Sequence, residues 1–245
     1  AVSGKRVAVF DVSDLKFPIL KDFIAINGAR SLTMRNNLIA VAAGQSGIFL
    51  LEKKSPSDLE LLTNFKTGVL SMDVEFNDGF DNELVVAAWS DGVLIYDISA
   101  PLEPKLAGAY NTPGFTRSVK TIGKLIYAAD MANGLLVLGL NHLSDEDGGL
   151  EFPFFGTIKT GEQAYEVVSV NKTYAYVADN KGKYYIINVK SLVTPTPVLA
   201  DTRDFLGGLQ VDKINVIGDL VYVSEQTGTA VVDFEAVFDL VYDCL

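Results

Sequence analysis

The sequence predicts an all-β fold, a β-propeller of four-stranded units about 44 residues long, on three observations. A short apolar strand ending in an acid, amide or small residue recurs along the chain, at 6–11, 47–52, 92–97, 134–139, 183–188 and 228–233. A second apolar strand precedes it across a short glycine-containing turn, and no segment carries a long helical stripe. The last residues of the six copies (Asp11, Glu52, Asp97, Gly139, Asn188, Asp233) lie 41 to 49 residues apart, which is the length of one propeller blade.

Each unit reads as four strands in order. An inner strand with period-two alternation is marked by Leu32/Met34, Met72/Val74, Val119, Val168/Val170 and Ile214/Val216. The second strand is the apolar run at 38–43, 84–88, 125–129, 174–178 and 220–224, and the recurring strand is the third. Between them the turns end at Gly47, Gly92, Gly134, Gly182 and Gly228, where a tight hairpin requires positive φ. A proline follows the terminal acid or amide by seven residues (Asp11 to Pro18, Asp97 to Pro104, Asn188 to Pro195), placing a rigid loop before an outer strand. The acid itself is expected to cap that turn.

The units fall at 1–28 (incomplete), 29–67, 68–113, 114–161, 162–207 and 208–245 within a single domain. The strand total lies between the needs of five and six blades, so six blades with an irregular closing blade are expected; five blades, or a fragment of a larger propeller, are the alternatives. The apolar tail 237–242 is a candidate closing strand. Ala1 is not an initiator methionine, so the chain is read as a processed form or an excised fragment.

The stretch from Leu84 to Leu140 contains Val-Val-Ala-Ala-Trp-Ser-Asp-Gly-Val-Leu-Ile-Tyr-Asp-Ile-Ser, then Pro-Lys-Leu-Ala-Gly-Ala-Tyr, then Leu-Ile-Tyr-Ala-Ala-Asp and Gly-Leu-Leu-Val-Leu. It resembles the LVIVD-repeat β-propeller family, with weaker copies over nearly all the chain and Gly139 standing where the pattern has an acid. The resemblance implies a propeller of extracellular or cell-surface type with no assigned reaction and no catalytic residues to carry over.

Composition narrows function by exclusion. A formal charge of −11 disfavours a nucleic-acid partner, and no apolar run is long enough for a membrane helix. One Cys (Cys244) permits no internal disulfide, and one His (His142) rules out a multi-histidine metal site. Gly-x-Ser-x-Gly, Walker, Gly-x-Gly-x-x-Gly and Cys-x-x-Cys signatures are absent. The expected function is a non-enzymatic module binding a protein or small ligand; the alternative is a hydrolase or lyase at the channel mouth, with Arg30 or Arg117 holding an anion and Glu166 or Asp212 as base.

Two loop sets carry the candidate residues. Aligned copies place Arg30, Arg117, Glu166 and Asp212 where the chain turns into the inner strands, ringing the upper channel mouth. The turns between second and third strands add Trp89, Asp130, Asp179 and Glu225 to the same face, with Trp89 aligned against acids; it is either a binding anchor or a ring lying over the neighbouring blade. The excess of acids over arginines favours a basic or cationic partner, or a metal. On the lower face, insertions at 75–83 and 141–151 hold eight carboxylates; they read as a solvated acidic loop pair with no cofactor expected, the alternative being a Ca²⁺ site with Asp78, Asp81, Asp145 and Asp147 as candidate ligands, although the spacing fails the EF-hand pattern. His142 reads as an exposed loop residue.

Overall fold

Alternation in the sequence becomes a row of antiparallel sheets that follow one another along the chain. The computed structural model describes residues 2–14, 16–143, 149–161, 163–170, 174–181, 183–189, 198–204, 211–217, 220–225 and 228–233. The first sheet is β1 (Val2–Ser3), β2 (Arg6–Asp11) and β3 (Ile19–Ala25); the second is β4 (Ser31–Arg35), β5 (Leu38–Ala42), β6 (Ile48–Ser55) and β7 (Asp58–Phe65). The third is β8 (Asp73–Phe76), β9 (Glu83–Ala87), β10 (Val93–Asp97) and β11 (Lys105–Tyr110). In the fourth, β12 (Ser118–Ile122), β13 (Leu125–Ala129) and β14 (Leu135–Gly139) are completed by β17 (Phe154–Ile158), because the small hairpin β15 (Asn141–His142) and β16 (Leu150–Glu151) interrupts them. The fifth is β18 (Ala164–Val170), β19 (Tyr174–Asp179), β20 (Lys183–Asn188) and β21 (Val198–Asp204), and the last is β22 (Val211–Ile217), β23 (Leu220–Glu225) and β24 (Gly228–Asp233).

Every four-stranded sheet keeps chain order from inner to outer edge, and the inner strands β4, β8, β12, β18 and β22 pack successively on one another. This is the radial arrangement of a propeller. The reading of the first unit as two strands missed β1, and the two-residue strands β15 and β16 were also unforeseen; strands this short carry no period to detect. The tail 237–242 lies outside the described residues.

Second and third strands are apolar almost throughout because both faces are buried. Leu84, Val86 and Ala88 point into a cluster with Ala40, Ile48 and Leu50 of the second sheet, whereas Val85 and Ala87 point the other way, against Val119, Ile126 and Leu136 of the fourth. Tyr127, Leu135 and Val137 repeat this against Val167, Val177 and Tyr185 of the fifth. The core is therefore a series of apolar layers between sheets, and small alanines on the second strands let neighbours approach near the axis.

The expected caps are present at Asp11 and Asp97, while the turn after Asn188 runs into residues outside those described. Asp11 Oδ1 accepts from the Ser13 amide at 3.0 Å and its hydroxyl at 2.7 Å, and Asp97 Oδ1 accepts from the Ser99 amide at 2.8 Å. After the caps, the third and outer strands pair with a one-residue bulge at the same place in five sheets, after Val9, Leu50, Ile95, Val137 and Ile186. The residues skipped on the outer strands are Lys21, Leu62, Ala107, Phe155 and Ala200.

Candidate functional site

The turns between second and third strands are built alike in three sheets. The amides of Ala43, Ala88 and Asp130 donate to Gly47, Gly92 and Gly134 oxygens at 2.8 to 2.9 Å, and the next residue is left-handed each time: Gly44 (φ 56°), Trp89 (φ 49°) and Met131 (φ 47°). Each left-handed residue bridges to the segment entering the following sheet, Gly44 to Ser71, Trp89 to Thr116 and Met131 to Ala164. This corrects the alignment of Trp89 against acids. Trp89 shares its position with Gly44 and Met131, and the acids Asp130 and Asp179 stand one position earlier, where the second and third sheets have Ala43 and Ala88.

Those two acids are interior pins. Asp130 has no exposure; its Oδ1 accepts from the hydroxyls of Thr112 at 2.7 Å and Thr116 at 3.1 Å, and its Oδ2 from Asn133 Nδ2 at 3.1 Å. Burial pushes its carboxyl above the ordinary range, opposed by those donors and by the Gly114 amide. Asp179, equally buried, accepts from the amides of Lys181 at 2.8 Å and Lys183 at 2.9 Å and from the Tyr185 hydroxyl at 3.0 Å, which in turn takes the Gly161 amide at 3.1 Å. Each ties a turn to the loop that leads into its own inner strand.

At the channel mouth the inner strands converge. Arg30, Ser31, Met72, Asp73, Arg117, Ser118 and Glu166 line a cavity of about 40 Å³. Ser31, Asp73, Ser118 and Glu166 occupy one level of the mouth, opposite Ala42, Ala87, Ala129 and Ala178, and all four are buried. Arg30, Met72, Arg117 and Tyr165 form the level above. A bulge between Ala164 and Glu166 shifts Glu166 one level below the arginines, which residue counting does not reveal. The Ser118 hydroxyl donates to Asp73 Oδ2 at 2.8 Å and accepts the Val167 amide at 3.3 Å, so one chain of hydrogen bonds crosses three sheets. Asp73 was missed in the sequence; its signal is that Met72-Asp73 occupies the place of Arg30-Ser31 and Arg117-Ser118.

Arg117 lies 3.3 Å above the Tyr165 ring, and Arg30 stays exposed. With Asp130, Asp179, Asp73 and Glu166 withdrawn from solvent, the count of acids that favoured a basic partner no longer describes the accessible face. Among the described residues, Lys5, Arg30, Lys66, Lys159, Lys181 and Lys183 are exposed cations there. The side chains of Asp212 and Glu225 lie outside the described residues. Trp89 is half-buried with its ring 5.1 Å from that of Phe115, which is 48 % exposed.

On the lower face the two insertions meet. His142 Nε2 lies 2.8 Å from Glu83 Oε1, Asn77 Nδ2 donates to Glu83 Oε2 at 2.7 Å, and the His142 ring rests 4.2 Å from Phe80. Burial raises the Glu83 carboxyl above its ordinary range, while Asn77 and His142 act to lower it. Asp78 Oδ2 accepts the Gly123 amide at 2.8 Å, joining the third sheet to the fourth, and Asp81 stands 3.8 Å from Arg35. Asp145 and Asp147 lie outside the described residues, and among the described residues no three His, Cys, Asp or Glu side chains converge to hold a metal ion.

Radial sheets around a polar channel mouth define a β-propeller, and solved structures of low sequence identity agree. The beta-propeller domain of Myceliophteria thermophila Cps50 (Swd1) superposes with a TM-score of 0.67 at 11 % identity, over 94 % of this chain and 78 % of that one. The computationally designed Ika8 protein gives 0.61 at 11 % identity, over 95 % and 69 %, and a chain of the COPII outer coat vertex on membranes gives 0.62 at 13 % identity, over 95 % and 66 %. Within that class, this chain carries the LVIVD repeat, matched at residues 81–112, 113–140 and 166–195. A search of curated protein sequences finds no match to the chain. No helix among the described residues is long and apolar enough to cross a membrane.

Proposed function

We propose that this chain is a non-enzymatic interaction module, a propeller of six units with an incomplete first unit, displayed outside the cell or on its surface, that recognises a protein through its upper face. The observation that carries the reading is the convergence of Arg30, Met72, Arg117 and Tyr165 from four inner strands at one mouth, seated on the buried polar layer of Asp73, Ser118 and Glu166, because residues fixed by separate rigid elements make a preformed recognition surface. The propeller likeness, which includes a coat-vertex component, and the LVIVD repeats support the same reading. A cavity of about 40 Å³ admits a water-sized group and no ester or sugar, which weighs for binding over hydrolysis or lyase chemistry at the mouth.

The test is a cross-linking map of a captured partner, repeated with Arg30→Ala and Arg117→Ala. Cross-links on the upper face, lost in these variants, are expected. Turnover of esters, lactones or glycans that disappears in Glu166→Ala would instead establish an enzyme.

A further inference from the structure

The junction between loop and turn that Asp130 closes with a carboxylate in the fourth sheet is apolar in the third and borders a cleft. In the fourth sheet the loop before β12 is drawn onto the turn: the Asp130 carboxylate takes the Thr112 and Thr116 hydroxyls, and Gly114 sits so close that a Cβ there would lie 2.7 Å from Asp130 Oδ2. In the third sheet the corresponding residues are Ala88 for Asp130, Val69 for Gly114 and Thr67 and Ser71 for Thr112 and Thr116. The carboxylate is gone, and Val69 packs instead against the apolar layer that includes Ala88. Thr67 and Ser71 then bond each other at 2.9 Å. Beside this junction lies a cleft of about 560 Å³, lined by Gln45, Lys66, Val69, Leu70, Trp89 and Ser90. That volume lies in the range of ligand sites.

Three features give the cleft its chemistry. Its walls include Val69, Leu70 and the Trp89 indole, and Phe115 beside Trp89 extends the apolar surface outward. Trp89 is held at φ 49°, a conformation that costs a bulky residue about 1 kcal/mol or more and that glycine occupies in the second sheet. Two cations flank the apolar walls. Lys66 donates to the carbonyls of Gln45 and Ser46, at 3.3 and 3.1 Å, and Arg30 packs on Gly44, next to Gln45, so closely that a Cβ on Gly44 would lie 3.1 Å from its Nε. Neither forms an ion pair among the described residues, in a chain of net charge −11. The nearest carboxylate in the turn, Asp91, takes the Ser90 hydroxyl at 2.9 Å and does not line the cleft.

We infer that this cleft binds an acidic peptide segment carrying a bulky apolar side chain, which inserts beside Trp89 while flanking carboxylates meet Arg30 and Lys66. The inference rests on the upper-face reading above and names the kind of partner segment that face takes. An apolar anchor seated in a pocket and ringed by complementary charge is the usual energetic core of such contacts.

Trp89 is the only tryptophan in the chain, so its emission reports the cleft directly. The probe is the hexapeptide Glu-Glu-Leu-Phe-Glu-Glu, compared with Lys-Lys-Leu-Phe-Lys-Lys and with hexaglutamate. A saturable change of Trp89 emission is expected with the first alone, weakened at least tenfold by the pair Arg30→Glu and Lys66→Glu and by 0.5 M salt. The pair Ala88→Asp and Val69→Gly rebuilds the closed junction and is expected to abolish binding with the melting temperature kept or raised. A flat titration with the acidic probe, or equal binding of the lysine peptide, overturns the proposal; so does undiminished binding to the closed variant. A natural partner that cross-links to the upper face and is indifferent to the closed variant would sink this inference and leave the broader reading standing, whereas a partner on the lower loops would sink the latter.

Discussion

Asp11 and Asp130 show how the same side-chain chemistry is set in opposite directions by its surroundings. Asp11 lies half-buried at the surface, and the Ser13 amide and hydroxyl, with Lys21 at 3.1 Å, lower its pKa to about 2. Its contribution to stability is therefore present above the unfolded carboxylate value and is lost as pH falls through about 2. Ser13→Ala is expected to return the Asp11 titration towards the ordinary range, as read by NMR of the carboxyl carbon; an unmoved midpoint would show that the cap does not operate in solution. Asp130 is raised, so its folded form holds a proton more tightly than the unfolded chain does. Its contribution is full below the unfolded value and shrinks as pH rises through the elevated folded one. Asp130→Ala leaves the Thr112 and Thr116 hydroxyls without their carboxylate and is expected to cost roughly 1–3 kcal/mol in urea unfolding at neutral pH, with a wider gap to the wild type in acid. The identities of these acids were legible in the sequence, but their burial was not: a turn acid looks alike whether it faces solvent or a pair of threonines from a loop over a dozen residues upstream.

At the scale of the element, the hairpins were the most legible part. Gly92 and Gly134, read as turn glycines, have φ of 73° and 83°, and a Cβ on either would collide with a backbone oxygen, Tyr110 O or Ile158 O. Gly92→Val and Gly134→Val are each expected to destabilise by roughly 2 kcal/mol or more. Melting curves that coincide with the wild type would mean the turns are wrongly placed. The layers between sheets give a second expectation: Leu136→Ala, fully buried between the third and fourth sheets, should cost about 2–5 kcal/mol in chemical unfolding. Register was the illegible part. Bulges before Glu166 and Lys213 insert a residue without changing the apolar pattern around them, so alignment by counting put Glu166 level with Arg117 when Tyr165 holds that place. The same one-residue error set Trp89 against acids.

For the molecule as a whole, period and apolar runs were enough to foresee a propeller, because stacking two-faced sheets is what continuous apolar strands with polar turns require. The distribution of charge over its faces was not foreseeable, since it depends on which acids the loops fold over. One repeated detail governs how such molecules behave in company. In five sheets the outermost strand carries an extra residue facing the third strand, which coils the sheet margin and breaks the row of amides and carbonyls it would otherwise offer to a passing molecule. The margin is thereby made a poor template for another strand. Deleting Ala107, the skipped residue of β11, should straighten the third sheet's rim and give a protein that still melts cooperatively yet self-associates as its concentration rises, as followed by sedimentation velocity. These bulges act less as flaws in pairing than as a defence against edge-to-edge association, repeated in five successive sheets.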